Sequence, residues 1–380
     1  MSDSSITEPT LRPGLKWNYF KADVLPCWVA EMDYGLAPAV TDALHEAIDR
    51  GDTGYPYPAI ESAVAESGCR FWADRLGWEV GPDRVFHAPD VIEGIRRAIT
   101  HLTRPGSPVI LHTPVYFPFF SMVERAGREM VEVTALRDQD GVYHLDLDGI
   151  GRALAAGAGS LVLCNPWNPV GRSLTLPEVE EVVSIASSHG ARVISDEIHA
   201  ALTFENAEHV AAANVDHGTV VTVTAASKAW NLPGLKSAQV VLTNDEDVDV
   251  WSAYYTPEKI GVGTLGLIAS AAAYSRGREW LDGVMATLHS NRRLLGELIE
   301  ERLPGVGYRE PEATYLAWLD MSSFGWDEPA DYLLDRARVG VTGGAQFGTG
   351  GEGHVRLNFG TQEEVLVEII DRISMALPRP

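Results

Sequence analysis

Between residues 108 and 242, short apolar runs alternate with stretches of helical periodicity, and this alternation constrains the fold more than any other feature of the chain. Residues 108–112 read as a buried strand after the turn pair Pro105-Gly106, and residues 129–135 and 160–165 read as two more. A helix follows. Thr175-Leu-Pro-Glu178 forms a capping box, Val179, Val182, Val183 and Ala186 share one face, and Gly190 stands where a left-handed cap belongs. Residues 192–198, 220–224 and 238–242 then read as further strands. Short apolar strands separated by helices predict an α/β fold in which a mainly parallel sheet is covered on both faces.

Around this region the pattern changes. The first ~40 residues are irregular, with Pro9, Pro13, Pro26 and Pro38 among several aromatics, and such an arm is expected to pack against the body. Residues 265–274 are short and Ala-rich and read as a buried helix. Residues 280–303 form a long amphipathic helix striped by Leu281, Val284, Leu288, Leu295, Leu298 and Leu303 and stopped by Pro304. Smaller α+β elements follow. The expected division is an arm at 1–45 that joins the small domain, a large domain at 46–280, and a C-terminal small domain at 281–380.

Composition narrows the function. With 30 Lys and Arg against 53 Asp and Glu, the net charge of −23 disfavours nucleic acid and acidic membranes, because phosphates would be repelled. Three cysteines in 380 residues argue against a disulfide framework and for a reducing compartment. The N-terminus lacks a basic start and an apolar stretch, so no leader is predicted, and no run approaches the ~18 apolar residues of a membrane span. The predicted location is cytoplasmic. The Cys and His residues show no metal-ligand spacing, and there is no nucleophile-elbow sequence. Gly348-Thr-Gly-Gly-Glu-Gly353 has dinucleotide-loop spacing, but no strand precedes it and no helix follows, so it reads as a loop near the substrate mouth.

In an open parallel sheet, ligands bind beyond the carboxyl ends of the strands. Asn168 follows one predicted strand, Asp196 ends the next, and Ser227-Lys228 follows a third. Taken alone, a lysine after a strand is more often a solvated charge, and an aspartate at a strand end could be a helix cap. Together they suit pyridoxal phosphate. That cofactor takes a lysine for its Schiff base, a carboxylate to hold its ring nitrogen protonated, a donor at its phenolic oxygen, and amides, hydroxyls or a cation at its phosphate. Lys228, Asp196, Asn168, Ser227 and Lys236 offer these groups.

The chain also resembles the fold-type I pyridoxal-phosphate enzymes of the class I/II aminotransferase superfamily, in particular the bacterial cystathionine β-lyases and carbon–sulfur lyases. The matching segments are Leu25-Pro-Cys-Trp-Val-Ala-Glu-Met-Asp33, Thr53-Gly-Tyr55, Thr113-Pro-Val-Tyr116-Phe-Pro, Cys164-Asn-Pro-Trp-Asn-Pro-Val-Gly171, Ser195-Asp-Glu-Ile-His199, Ser227-Lys228-Ala-Trp-Asn-Leu-Pro-Gly-Leu235, Thr314-Tyr-Leu-Ala-Trp-Leu-Asp320 and Val355-Arg-Leu-Asn358. The resemblance implies a large cofactor-binding domain with a smaller α+β domain, and a homodimer with shared active sites. It implies that Lys228 is the Schiff-base lysine and the base at Cα. Asp196 partners the ring nitrogen, Asn168 the phenolic oxygen, and Tyr116 stacks on the ring. Tyr55 reaches the phosphate of the neighbouring subunit, His199 contacts the cofactor, and Arg356 grips the substrate carboxylate, with Asn168 and Trp28 beside it.

Three positions depart from the pattern. Ala88-Pro-Asp90-Val-Ile92 replaces a glycine-led phosphate loop, leaving the amides of Val91 and Ile92 at a helix N-terminus as the expected phosphate donors and no role for the Asp90 side chain. Trp167 stands in place of a histidine and Glu31 in place of an aspartate, both expected to alter substrate preference. The resulting expectation is α,β-elimination from L-cystathionine or a related cysteine S-conjugate. The alternatives are an aminotransferase using the same residues, or a binding module that kept the fold; loss of the lysine would have marked the latter, and Lys228 is present.

Overall fold

The computed structural model describes residues 14–254 and 261–378. Seven strands form its central sheet: β1 (Val85–Ala88), β2 (Val109–Thr113), β3 (Met130–Thr134), β4 (Ser160–Cys164), β5 (Arg192–Asp196), β6 (Val220–Thr224) and β7 (Ala238–Leu242). Their order is β1-β7-β6-β5-β4-β2-β3. From β6 to β3 the pairing is parallel, so Thr113, Cys164, Asp196 and Thr224 all end at one rim. Every residue of β2, β4, β6 and β7 is buried, as a sheet covered on both faces requires.

Strand β7 departs from the parallel expectation, since it runs antiparallel to both β6 and β1. The physical reason lies in its connection. A parallel return needs a crossover, usually a helix, whereas only turns, ending in the short Pro233–Leu235, separate Thr224 from Ala238. The sequence reading also passed over β1, whose run Val-Phe-His-Ala is broken by a histidine. The other strands lie within a residue or two of their predicted limits.

Helix Leu176–Ser188 carries the full capping box, and Gly190 takes φ +59° just beyond it. Helix Thr264–Arg276 is the Ala-rich segment; it buries Leu267, Ala269, Ala272 and Ala273 and packs against helices Pro38–Arg50 and Pro58–Leu76. Helix Arg278–Arg302 buries the expected stripe through Leu298, and Leu303, expected within the helix, is its C-cap. Beyond it, Gly307–Tyr308, Leu316–Asp320, His354–Asn358 and Thr342–Gly343 form a four-stranded antiparallel sheet. No helix among the described residues is long and apolar enough to cross a membrane.

The N-terminal segment pairs Leu25–Pro26 with Val339–Gly340, beside this second sheet. The boundaries expected at 45/46 and 280/281 both fall inside continuous helices, Pro38–Arg50 and Arg278–Arg302. We propose that the arm ends before Pro38 and that the small domain starts with helix Arg278–Arg302.

One close approach fixes the rim. Helix Val91–Leu102 lies on the sheet through Gly94, where a Cβ would stand 2.8 Å from Val223 Cγ1 and 3.1 Å from Val240 Cγ2. Both neighbours are buried sheet residues with no room to yield. Gly94→Ala is therefore expected to push the helix outward and cost about 1–3 kcal/mol of stability by overpacking. Urea denaturation of the variant checks this, and an unchanged midpoint would contradict it.

Candidate active site

At the rim of the parallel strands lies a cavity of about 200 Å³ whose walls include Asp90, Tyr116, Asn168, Asp196, His199 and Lys228. Val91, Ile92, Ser227 and Lys236 line it as well. A larger surface groove of about 890 Å³ runs past Phe204 and His289, but it contains none of the residues singled out by the sequence. The smaller cavity is where buried charge collects, and it is the candidate site.

Asp196 closes β5 opposite Cys164 of β4 and is 4% exposed. Its Oδ1 accepts from the Ile198 amide at 3.1 Å, and no cation stands within ion-pair distance among the described residues. Burial therefore pushes its carboxyl up to about 7. Lys228 Nζ donates to the Ala30 carbonyl at 2.9 Å. Burial, reinforced by the Arg356 charge, lowers this amine to about 8, so a useful fraction is neutral near physiological pH. His199 is buried and its Nδ1 has no partner. Burial first, then the Lys228 and Arg356 charges, hold it well below the usual imidazole range, so it is neutral.

Arg356 projects from strand His354–Asn358, 2% exposed, over the Phe347 ring. It donates to Asn168 Oδ1 and to the Trp28 carbonyl, both at 3.0 Å, and its Nε has no partner. Burial lowers it to about 10, which leaves it cationic at neutral pH. Its contact with Asn168 also orients that amide. With Oδ1 taken, the Asn168 NH₂ is left to donate into the cavity. On the far wall, the Val91 and Ile92 amides precede the helix's first backbone bond, from Gly94 N–H to the Asp90 carbonyl.

Several placements differ from the sequence reading. The Asp90 side chain has a role after all. Its Oδ1 caps the helix by accepting from Glu93 N–H at 2.8 Å, and its Oδ2 pairs with Lys236 at 3.0 Å. Lys236 is thus already neutralised by a carboxylate. The Trp28 indole does not face the cavity: it packs on Tyr19 and Phe20, and its Nε1 donates to the Lys16 carbonyl, so only the Trp28 carbonyl meets Arg356. Trp167 is fully buried behind the site, donating to the Pro114 carbonyl at 2.9 Å. Glu31 is not among the lining residues, although its charge acts on Lys228. Tyr55, expected to serve a neighbouring subunit and not its own, lies outside this cavity and is 84% exposed. The Gly348–Gly353 loop bonds Glu132 through Thr349 rather than lining the cavity.

Sequence reasoning missed the segment that ties the site together. Residues 28–34 are gripped through their backbone from both sides. Asn231 bonds Met32 and Tyr34, while Asn358 donates to the carbonyls of Val29 and Glu31. The buried Tyr315 hydroxyl donates to the Ala30 carbonyl at 2.9 Å, the same oxygen that holds Lys228. Asn231, Tyr315 and Asn358 all lie in the matched segments, but a side chain bonded to backbone leaves no spacing signature.

The cavity thus offers an amine, a buried carboxylate lacking a cation, the Asn168 NH₂, a neutral histidine with an unpartnered Nδ1, and a pair of helix amides. This donor set fits a cationic pyridine ring bearing an aldehyde, a hydroxyl and a phosphate.

Residues 23–373 match the family model described as "Aminotransferase class I and II", and the chain belongs to that family. It is 40% identical over 370 residues to cystathionine beta-lyase of Corynebacterium glutamicum, covering 96% of this chain and 97% of that one. Cystathionine beta-lyase PatB of Bacillus subtilis is 33% identical over 93% of each chain. Among solved structures, cystalysin from Treponema denticola, which contains a pyridoxal 5'-phosphate cofactor, superposes with a TM-score of 0.90 at 25% identity, covering 98% of this chain and 97% of that one.

The state of Asp196 has a measurable consequence. Its folded pKa lies above the ordinary carboxylate value of 3.8, so ionising it costs folding free energy, a cost that is absent below about pH 4 and complete above about pH 7. Without cofactor, Asp196→Asn should therefore be more stable than the unsubstituted protein at pH 8, by a few kcal/mol, with the gap narrowing toward pH 5. Thermal denaturation of the cofactor-free proteins across this range checks it; equal stability at pH 8 would contradict the assignment.

Proposed function

We propose that the protein is a pyridoxal-phosphate-dependent carbon–sulfur β-lyase that converts L-cystathionine or a related cysteine S-conjugate to a thiol, pyruvate and ammonia. The observation that carries this reading is the pairing of a partly buried amine, Lys228, with a buried and cation-free carboxylate, Asp196, in one cavity beside Arg356. The similarity to cystathionine β-lyases over nearly the whole chain favours elimination over transamination.

Bound pyridoxal phosphate supplies an electrophilic carbonyl carbon and a cationic ring that accepts the electron pair left when the α-proton departs. Asp196 holds the proton on the ring nitrogen; a cation there satisfies the carboxylate that burial otherwise penalises. The Asn168 NH₂ and His199 would serve the phenolic oxygen, Tyr116 would hold the ring, and the Val91 and Ile92 amides with Ser227 would take the phosphate. Lys236, held by Asp90, stands at the edge of that site with its charge balanced.

Arg356 binds the substrate carboxylate through its free edge while its other donors stay on Asn168 and the Trp28 carbonyl. Lys228, neutral in useful measure because its amine is lowered to about 8, removes the α-proton. The Ala30 carbonyl offers the resulting ammonium a place to rest. The Cβ–S bond then breaks, and sulfur leaves with the bonding pair as a thiolate. Addition of one water releases the remaining fragment as pyruvate and ammonia. A thiolate is a stable leaving group, so no strong general acid is required beside it.

We assign Tyr55 to the phosphate of a second subunit, which makes the working unit a homodimer. In support, Tyr55 is the most exposed large apolar side chain described and sits on the short connection between helices Pro38–Arg50 and Pro58–Leu76. A cytoplasmic location accords with three buried, unpaired cysteines.

Two tests follow. Incubation with L-cystathionine and no added keto acid should yield pyruvate and thiol over many turnovers, and Arg356→Ala should cost about 2–5 kcal/mol in kcat/KM, mainly through KM. Conversion of the cofactor to its amine form after a single turnover, with no thiol, would make the protein an aminotransferase. For the dimer, inactive Tyr55→Ala and Lys228→Ala chains should regain part of the activity when mixed and reassembled. A fully active monomer would contradict the assignment of Tyr55.

A further inference from the structure

Directly after Asp196, Glu197 is a fully buried carboxylate that the mechanism does not use. Its side chain turns away from the cavity. Oε1 accepts from Ser195 Oγ at 2.8 Å and from the Ala212 amide at 3.0 Å, and Oε2 lies 2.9 Å from His209 Nε2. The side chains of Glu197 and His209 are each 1% exposed. No lysine or arginine pairs with Glu197 among the described residues. Its backbone is tied down as well: its N–H donates to the Val223 carbonyl, and its carbonyl accepts from Thr224 Oγ1. Glu197 therefore locks the end of β5 to the end of β6, at the point where Asp196 enters the cavity.

A buried carboxylate is expensive unless it is paired or richly hydrogen-bonded. A glutamine could hold the end of β5 at less cost, so the retained charge calls for a reason. The adjacent residue supplies one. Two carboxylates one residue apart, screened by little water, repel each other, and the Glu197 charge makes Asp196 more basic. We infer that Glu197, held by Ser195, His209 and the Ala212 amide, is a positioning residue whose charge strengthens Asp196 as the proton-holding partner of the cofactor ring. This rests on the proposed function for the identity of the ring, but the coupling is a property of the chain alone.

The groups acting on Asp196 come from several elements. Burial raises its carboxyl most, the Ile198 amide lowers it, Glu197 raises it, and Lys228 lowers it. Cys164 on β4 and the Tyr116 hydroxyl also face it; burial raises both, which keeps both neutral at working pH. His199 is neutral as well. Among the described residues, that leaves Glu197 as the anion that reinforces Asp196 against the Lys228 cation.

The test uses the full-length, cofactor-free protein with carbon-13 in the aspartate carboxyls, and the Asp196 signal is identified by its loss in D196N. The unsubstituted protein should titrate near 7, and E197Q should titrate roughly one pH unit lower. E197D and S195A, which keep the charge while disturbing the network, should stay at the original midpoint. An unchanged midpoint in E197Q overturns the inference, as does an equal fall in S195A, which would mean geometry rather than charge is responsible. If E197Q fails to fold, a lowered midpoint in either charge-keeping variant still overturns it, and retention in both supports it. In the loaded protein, the pH at which the cofactor's absorption changes should shift in E197Q and not in E197D. Because the carboxyl titration needs no cofactor, its failure leaves the proposed function standing, while a chain that never bound pyridoxal phosphate would still report the coupling.

Discussion

Asp196 and Arg356 are buried and Lys228 is partly buried around one small cavity, with none of the three in an ion pair with another, and the fold bears the cost of that arrangement. An ionised carboxylate in such a place is normally neutralised by a partner or by a proton. Here burial shifts the carboxyl upward and the amine downward until both sit near neutrality. Such an arrangement is unfavourable for the empty protein and favourable once a cationic ring and an anionic substrate arrive. The large apolar core of the seven-stranded sheet supplies the stability that tolerates it.

The placement of these groups depends on the N-terminal segment as much as on the sheet. Residues 28–34 cross between the two sheets with their backbone held by Asn231 on one side and by Thr342, Tyr315, Arg356 and Asn358 on the other. Within that stretch, Asp33 forms a buried ion pair of 2.7 Å with Lys16 from the preceding segment. Removing one partner of such a pair leaves an uncompensated charge, so the arm is pinned rather than draped. The Ala30 carbonyl, which receives both Lys228 and Tyr315, owes its position to this pinning. Substrate grip, base and arm therefore form one connected unit.

The parts of this account that could be read from the sequence are those that depend on periodicity and strand ends. Alternating apolar runs gave the sheet, and the residues following them gave Asn168, Asp196 and Lys228, because a parallel sheet collects its ligands at one rim. The capping box of helix Leu176–Ser188 could be read because both of its partners lie within four residues. The rest depended on distant contacts. The direction of β7 followed from the absence of a crossover helix, and the Asp90–Lys236 pair joins residues 146 apart. The Trp28 indole was taken by Tyr19 and Phe20, and Trp167 by the core, although both stand in segments that otherwise mark the site. Glu197 was overlooked for the opposite reason: it lies in a recognised motif, but its side chain points away from the chemistry.

The central claim is that Lys228 is the amine that meets the cofactor aldehyde, in a cavity whose carboxylate is Asp196. The most direct measurement is to incubate the protein with pyridoxal phosphate, reduce with borohydride, digest, and locate the modified peptide by mass spectrometry. The account predicts a single adduct on Lys228, forming faster as pH rises through about 8, where the amine loses its proton. An adduct on Lys236, the other lysine lining the cavity, or none at all, would contradict it.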